Sequence, residues 1–420
     1  MKASDTENAT VERATALRII GGLRTGATPF DGVGAFSAGR ERLVEGAEEQ
    51  FAEIEVSDDS RVRWIKGLPE QGKTNFFARL IESASKRNWV SSYIALSARD
   101  SGTELHRFEE IYRAIVTHCR CPHEALDKAS THGQRLGWDL ILDQWWEKMR
   151  RLAGGATGVS SFALRDQIEH AITSMRLQWG MHNAFAGALR EFAISREDGE
   201  EGWTETMRSW FRAGDEHSRG GVVKARLLAA GIREPINRRN AKEMLRSFSI
   251  FIRVCGYAGT LILIDELENV PRHEPAGARK TAYTVLRELI DDVDGKHGMV
   301  RTAFYIAATP DVFDNSEKGI LEHEALATRV LGITDHGDNP VAPLIDLASW
   351  PLTRDDLIKI GLKVLRIHGV ARNWNPGDGD DQRISALLHE LLRKNPDLTV
   401  RAWVKNVVAD LDRRSAQPRT

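Results

Sequence analysis

The chain has 420 residues, of which 41% are hydrophobic and 28% charged, a composition that predicts a globular protein of about two to three domains. Its three cysteines exclude a disulfide framework, and Cys119 and Cys121 have no second pair for a zinc site. The formal net charge of −2 indicates nothing about nucleic acid, so a DNA-binding surface would have to be a local patch. The polar N-terminus, and the lack of an apolar run of roughly 20 residues, predict a cytoplasmic chain that makes no membrane contact.

The first part of the chain alternates predicted helices with predicted strands. Apolar residues recur at helical spacing in 40–56 and 73–88, which is typical of amphipathic helices. Residues 61–65 and 89–97 read as strands. This order favours a parallel sheet covered by helices, preceded by an N-terminal helical lead over 1–60.

The rest of the chain changes character twice. Residues 121–235 are rich in tryptophan and predict a helical insertion, in which the tryptophans are packing residues rather than ligands. The α/β pattern then resumes, so that 61–120 and 236–345 together form the predicted core. From Pro351 onwards the pattern is helical, and 346–420 is predicted to be a C-terminal helical domain.

A phosphate-binding pattern joins the predicted strand 61–65 to the following helix. In Gly67-x-x-x-x-Gly72-Lys73-Thr74, backbone N–H groups and the positive end of the helix would surround phosphates, which the lysine also reaches. The threonine hydroxyl is a ligand for Mg²⁺. The alternative is an ordinary glycine turn before a helix. The pattern predicts ATP and Mg²⁺ as cofactors, with binding residues Gly67, Gln71, Gly72, Lys73, Thr74 and Asn75.

Two strand ends supply the other predicted catalytic groups. The buried run 261–264 ends in Asp265 and Glu266; the first would hold Mg²⁺ and the second would activate the attacking water, unless both are surface acids. Thr309 ends a later strand, and ligands of open α/β sheets lie at the carboxyl ends of strands. Thr309 would therefore place a hydroxyl near the γ-phosphate, or it caps the turn before Pro310.

Two arginines are candidates for the cation that meets the developing charge on a transferred phosphoryl group. Arg329 follows the strand of Thr309, and Arg401 begins the last predicted helix. Each could equally be an ordinary surface arginine. The basic clusters 237–242 and 412–419 could contact double-stranded DNA or form solvated surface.

The order of these motifs resembles the AAA+ and STAND groups of P-loop ATPases. More closely, the stretches 16–45, 234–270 and 304–315 are similar to the ATP-binding proteins of BREX-type phage-defence islands. The resemblance implies a P-loop NTPase core with a parallel sheet, magnesium-ATP, and a role in restricting foreign DNA. It also implies a C-terminal helical lid or winged-helix-like domain beside the helical insertion.

The resemblance also implies roles for individual residues. Gly39-Arg40-Glu41 would lie on the adenine side of the pocket, Arg329 would act on a neighbouring subunit, and Arg401 would sense nucleotide from the lid. Glu70 departs from the family, whose loop usually has a glycine there, where a positive φ would favour glycine. ATP binding is expected to survive this change, while fast turnover is in question.

Three functions remain open at this level. One is an ATPase that couples Mg-ATP to action on DNA or to assembly of a defence complex. A second is a nucleotide-gated signalling or scaffold switch with slow or no turnover. The third is a degenerate structural subunit without nucleotide. The expected partners are other defence-system proteins, with the chain acting as a homo-oligomer or as a complex subunit.

Overall fold

The computed structural model describes residues 11–96, 104–122, 137–154, 160–216, 220–273, 275–293, 298–331, 338–377 and 379–416. Some residues of each predicted segment lie outside this description: 1–10 of the lead; 97–103, 274, 294–297 and 332–337 of the core; 123–136, 155–159 and 217–219 of the insertion; and 378 and 417–420 of the C-terminal domain. The helices are Arg13–Thr25, Glu41–Ser57, Lys73–Lys86, Phe108–Thr117, Trp138–Ala153, Ser161–Trp179, Asn183–Glu197, Glu201–Phe211, Gly221–Ala229, Ala241–Cys255, Asn269–His273, Ala276–Val293, Pro310–Asp314, Glu324–Leu331, Arg354–Arg372, Asp380–Lys394 and Val400–Ser415. The strands are β1 (Arg61–Lys66), β2 (Trp89–Ala95), β3 (Cys119–Arg120), β4 (Gly259–Asp265), β5 (Thr302–Ala308) and β6 (Leu344–Asp346).

The strands form one sheet in the order β3-β2-β4-β5-β1-β6. β2 pairs in parallel with β4, with Trp89 opposite Gly259, and β4 pairs in parallel with β5, with Thr260 opposite Thr302. Every residue of β4 and β5 is buried. Strands buried on both faces read as continuous apolar runs, which is why 261–264 lacks polar alternation. The predicted α/β class is therefore confirmed.

The predicted parallel sheet holds for the pairs β2–β4 and β4–β5 but not at one edge. β3 runs antiparallel to β2, with Ser91 opposite Arg120 and Ser92 opposite Cys119, so the sheet is mixed. A parallel partner needs a crossover that returns the chain to the start of its neighbour, whereas β3 enters beside the middle of β2 and is only two residues long. A short antiparallel strand at the edge of a mostly parallel sheet is a common arrangement, and its shortness limits edge-to-edge pairing.

The chain folds into two compact units. One consists of Met1–Glu49, Ile65–Ser83 and Asp335–Thr420, and the other of Gln50–Trp64 and Ala84–Thr334. The first unit holds the glycine-rich loop after β1 and the C-terminal helices, and the second holds β2 to β5 and the tryptophan-rich helices. The domain boundaries predicted from the sequence stay a prediction.

The tryptophan-rich helices carry their indole rings inward. Trp138, Trp145 and Trp210 are all buried. The Trp138 ring lies 5.3 Å from the ring of Phe248 and 5.4 Å from that of Phe251, both on the helix Ala241–Cys255. Such pairs add favourable edge-on aromatic contact to the burial of large apolar surface. These tryptophans are packing residues, as the sequence predicts.

The first unit has its own core beneath the glycine-rich loop. The helix Arg13–Thr25 packs against Arg354–Arg372 and Val400–Ser415 through apolar side chains that recur at helical spacing. Trp403 is fully buried there, and its indole N–H donates to the carbonyl of Leu357 at 2.8 Å. This bond satisfies the one polar group that Trp403 brings into the core.

A polar network closes one end of this core. Asp412 accepts hydrogen bonds from Arg24 at 2.8 Å and lies 3.1 Å from Nε2 of the buried His368. Trp374 donates to Nδ1 of the same ring at 2.9 Å, so the neutral ring donates from Nε2 to Asp412. Burial lowers the pKa of His368, while the Arg24 hydrogen bond leads the causes that lower the pKa of Asp412 to about 2.

Asp412→Asn should lower the free energy of unfolding at pH 7 by about 1–2 kcal/mol. Since the folded pKa lies below the unfolded value near 4, this stabilisation is present above about pH 4 and disappears as the pH falls toward 2. Urea unfolding of both proteins between pH 3 and pH 7 measures it. The control is Asp410→Asn, which removes only longer ion pairs of 3.6 and 3.8 Å. A pH-independent difference would contradict the assignment.

Candidate functional site

The loop 67–72 leaves β1 and enters the helix Lys73–Lys86 through two left-handed residues. Glu70 has φ +63° and Gly72 has φ +94°, a region that favours glycine. At Gly67 a Cβ would lie 3.2 Å from the Leu347 side chain, so the loop has little room there. The side chain of Gln71 bridges the loop, accepting from the backbone N–H of Leu68 at 2.7 Å. Gly67 and Gln71 therefore shape the loop from within.

Lys73 lies inside the curve of this loop. Its side chain is only 8% exposed, and Nζ donates to the carbonyls of Gly67 at 2.7 Å and Leu68 at 3.2 Å. Backbone carbonyls provide the partners that a buried ammonium group requires. The loop thus holds a positive charge at its centre, directly before the N-terminus of a helix.

Arg40 fastens the loop from outside. Its guanidinium group donates to the carbonyls of Gln71 and Trp350 at 2.7 Å each, and to that of Leu347 at 3.4 Å. Burial, followed by the nearby charge of Arg79, lowers the pKa of Arg40 to about 10, so it stays charged at neutral pH. Arg40, which the resemblance placed on the adenine side of a pocket, lines a cavity beside the loop, and its guanidinium group donates to the backbone of the loop.

Arg40→Ala should reduce the free energy of unfolding by about 2–3 kcal/mol, because it leaves two short charge-assisted acceptors without their donor. Arg40→Lys should restore little of this loss, since an ammonium group cannot reproduce the planar fork. Arg42→Ala is the nearby control, two residues further on in the helix Glu41–Ser57: its ion pair with Asp338, at 3.5 Å, is exposed and should be worth less than about 1 kcal/mol. Equal losses in urea unfolding for both alanine variants would show that the hydrogen bonds of Arg40 to the loop do not stabilise the protein.

A cavity of about 140 Å³ opens beside the loop, within the first unit. One wall is polar and consists of Glu70, Gly72, Lys73, Thr74, Asn75 and Arg401. Another part of the lining, the apolar wall, includes Leu23, Phe36, Ile360, Val400 and Val404. This volume is close to the roughly 150 Å³ of an apolar cavity that takes up benzene, so a planar ring fits.

Asn75 and Arg401, which line the cavity, each contact a residue on another segment of the chain. Asn75 donates to the Ser37 hydroxyl at 2.8 Å, and Lys363 donates to the Ser37 carbonyl at 2.8 Å. Arg401 begins the helix Val400–Ser415 and forms an ion pair with Glu70 at 3.2 Å. The residues predicted to bind a cofactor therefore either line this one cavity or brace the loop that forms its polar wall.

Asp265, Glu266 and Thr309 lie at the carboxyl ends of β4 and β5 in the second unit. Asp265 is buried and accepts from the Tyr93 hydroxyl at 3.1 Å and from the backbone N–H of Glu266 at 2.9 Å. Glu266 has φ +61° and an exposed side chain, to which Asn269 donates at 3.2 Å. The positive φ of Glu266 is an unfavourable conformation for a residue with a β-carbon. Of the two neighbouring carboxylates, that of Asp265 is buried and that of Glu266 is exposed.

Thr309 follows β5 and is 2% exposed, and its hydroxyl lacks a hydrogen-bond partner among the described residues. It is the N-cap residue of the helix Pro310–Asp314, but its side chain makes no capping bond. Its backbone N–H donates instead to the buried carboxylate of Glu268 at 3.2 Å. A buried hydroxyl without a partner costs free energy, which a ligand or water could recover.

Sequence reasoning missed three residues of this group: Tyr93, Glu268 and Asn269. Nothing in their local patterns distinguishes them from packing or surface residues. Tyr93 and Glu268 have partners that are distant in the sequence, Asp265 and Thr309 respectively. Asn269 donates to the distant Leu96 carbonyl as well as to the nearby Glu266. Arg329, by contrast, was predicted, and it pairs bidentately with Asp291 at 2.5 and 3.1 Å. That pair joins the helices Glu324–Leu331 and Ala276–Val293, so the structure engages Arg329 within its own chain.

None of the helices in the described ranges is both long and apolar enough to cross a bilayer. A comparison with curated proteins found no match. A family model described as BREX system ATP-binding protein BrxC/D matches residues 11–420. This match confirms the family resemblance inferred from the sequence. The chain therefore belongs to the family of BREX system ATP-binding proteins BrxC/D.

Proposed function

We propose that the cavity beside the loop binds Mg-ATP. The observation that carries this proposal is the position of Lys73: a buried ammonium group inside a glycine-containing loop that forms the polar wall of a half-apolar cavity. Loops of this kind bind phosphates through backbone N–H groups and the positive end of the following helix. On binding, Lys73 would exchange its hydrogen bonds to these carbonyls for hydrogen bonds to the β and γ phosphates.

The residues around the cavity divide the nucleotide between them. Phosphates lie along Gly72, Lys73 and Thr74, and the purine ring lies against the apolar wall that includes Phe36 and Val404. Binding of a ring in an apolar pocket is favoured by removal of its surface from water. A larger side chain at position 72 would crowd the loop, because a Cβ there would lie 3.2 Å from Arg40.

We propose Mg²⁺ as the metal that accompanies the phosphates, on the strength of the sequence motifs. Thr74 supplies a hydroxyl, and Asp265 is proposed as the acidic ligand on the strength of its motif and its position at a buried strand end. Among the described residues, no three His, Cys, Asp or Glu side chains form a metal cluster. That is compatible with Mg²⁺, which keeps several waters and takes only one or two carboxylates beside the phosphates.

We further propose that the bound ATP is hydrolysed, with Glu266 activating the water. Glu266 is exposed, whereas its neighbours Asp265 and Glu268 are buried acceptors, so Glu266 is the carboxylate best placed to meet a reactant. The hydroxyl of Thr309 would contact the water or the γ-phosphate, and Arg329 would contribute only after leaving Asp291. Turnover would then drive action on DNA or assembly with other defence-system proteins.

The second candidate function is a nucleotide-gated switch with slow turnover. Glu70 favours it, because a carboxylate in the loop, bound to Arg401 at 3.2 Å, places negative charge where phosphates should arrive. A switch would bind ATP, exchange partners and release nucleotide with little hydrolysis. The two functions share the binding site and differ only in chemistry.

ATP binding and ATP turnover, measured separately, distinguish these functions. Equilibrium titration of the purified protein with a fluorescent ATP analogue, with and without Mg²⁺ and in competition with ATP, ADP and GTP, tests the site. Phosphate release with and without duplex DNA, at several salt concentrations, tests turnover and phosphate contact by the basic clusters. Light scattering with and without ATP tests the proposed homo-oligomer. Failure to bind ATP would reject both functions, and tight binding without turnover would select the switch.

A further inference from the structure

Glu70 forms an ion pair with a residue that reaches the same cavity from the opposite end of the chain. Its carboxylate accepts from Nη1 of Arg401 at 3.2 Å, and both residues line the cavity. The stem of Arg401 is confined beside Gly26, where an added Cβ would lie 3.3 Å from Arg401 Cγ and Cδ. The guanidinium group is thus directed toward the loop by its surroundings.

Glu70 carries two disadvantages that a glycine would not. Its backbone has φ +63°, a conformation that β-carbon-bearing residues adopt at a cost. Its carboxylate is also negatively charged, so it would repel the phosphates that the buried positive charge of Lys73 attracts. A residue that is unfavourable both for the backbone and for an anion needs a separate role, and the ion pair with Arg401 supplies one.

We propose that Glu70 is an internal competitor for the phosphates of the nucleotide: it binds Arg401 in the free protein and releases it when the phosphates arrive. A carboxylate and a phosphate offer the same kind of acceptor to a guanidinium fork, so only one of them satisfies Arg401 at a time. Glu70 therefore lowers the affinity for ATP and links it to the position of Arg401. This inference rests on the proposed binding of ATP at this cavity.

The exposure of the pair makes the exchange feasible. Glu70 is 36% and Arg401 55% exposed at the side chain, so neither group is trapped. Exposed pairs of this type are weak and are screened by salt. The pair can therefore bias Arg401 without locking it, and a multiply charged phosphate chain can displace the single carboxylate.

A double-mutant cycle tests the competition. Glu70→Gln removes the charge and keeps the side-chain length, Arg401→Gln removes the partner, and the double variant closes the cycle. We expect Glu70→Gln to tighten ATP binding by roughly two- to tenfold when Arg401 is present, and to have little effect in the Arg401→Gln background. The gain should shrink with added salt, and the affinity for adenosine, which lacks phosphates, should not change.

Three results would overturn the proposal. An equal gain in both backgrounds would mean that Glu70 only repels phosphates, and no gain at all would mean a bare surface pair. A comparable gain from Glu390→Gln, which removes the exposed pair with Lys394 on the helix Asp380–Lys394, would indicate a general charge effect. If wild-type protein binds no ATP, the proposed function fails together with this inference; if it binds ATP in a Lys73-dependent manner, only the cycle decides.

Discussion

Lys73→Ala should weaken ATP binding by about a hundredfold, the largest loss we expect from any single change in this chain. Its ammonium group is 8% exposed and forms hydrogen bonds with two loop carbonyls, so it is fixed in place before any phosphate arrives. Truncating one partner of a buried charged contact typically costs about 2–5 kcal/mol, and about 1.4 kcal/mol corresponds to a tenfold change in affinity. Titration with a fluorescent ATP analogue measures the loss directly.

The matched control is Lys86→Ala. Lys86 closes the same helix, is exposed and does not line the cavity, while alanine suits the helix equally in both variants. Binding should be unchanged in this control. An ATP affinity that survives Lys73→Ala, with both variants folded by circular dichroism, would remove the basis for placing phosphates in the loop.

Glu266→Gln should lower the rate of ATP hydrolysis by about 10²- to 10⁴-fold while leaving ATP affinity nearly unchanged. Glutamine keeps the shape and can still accept from Asn269, but it cannot take a proton from water. The Glu266 side chain is exposed, and glutamine has the same β-carbon at the residue's φ of +61°. The substitution therefore disturbs neither the core nor the strand. Single-turnover phosphate release, beside the binding titration, separates chemistry from affinity.

Glu317→Gln removes an exposed carboxylate away from the strand ends and serves as the control for net charge. It should leave turnover unaltered. If Glu266→Gln hydrolyses ATP at the wild-type rate, another group activates the water. If the wild-type protein binds ATP but has no measurable turnover, the nucleotide-gated switch becomes the better account, and the change in partner binding on adding ATP is the quantity to measure.

Local sequence patterns predicted the parts of this fold that depend on neighbouring residues. The apolar run 261–264 reads as a buried strand, and the glycines of the loop at 67 and 72 lie where a side chain would approach Leu347 or strain the backbone. The inward-facing tryptophans follow from the same reasoning, because large apolar side chains at helical spacing need a core. Each of these features is decided within a short stretch of chain.

The remainder depends on contacts that no local pattern encodes. The antiparallel setting of β3 is decided by where the chain re-enters beside β2, and the bond from Tyr93 to Asp265 joins residues 172 positions apart. Arg40 is a clear example: it lines the cavity, but one of its hydrogen-bond partners, the Trp350 carbonyl, lies 310 positions away and no motif reveals it. Side-chain direction of this kind follows from tertiary packing.

The hydrogen bonds of Arg40 to Gln71 and Trp350 have a consequence for how the protein folds during synthesis. Arg40 and Gln71 leave the ribosome early, whereas Trp350 follows Arg40 by 310 residues and Arg401 follows Glu70 by 331. Contacts of such sequence separation are slow to form, because a long loop must close before they stabilise anything. A nascent chain therefore carries the glycine-rich loop for most of its synthesis without the walls that complete the cavity. The cavity is therefore complete only when the last helices, which supply part of its lining, have folded.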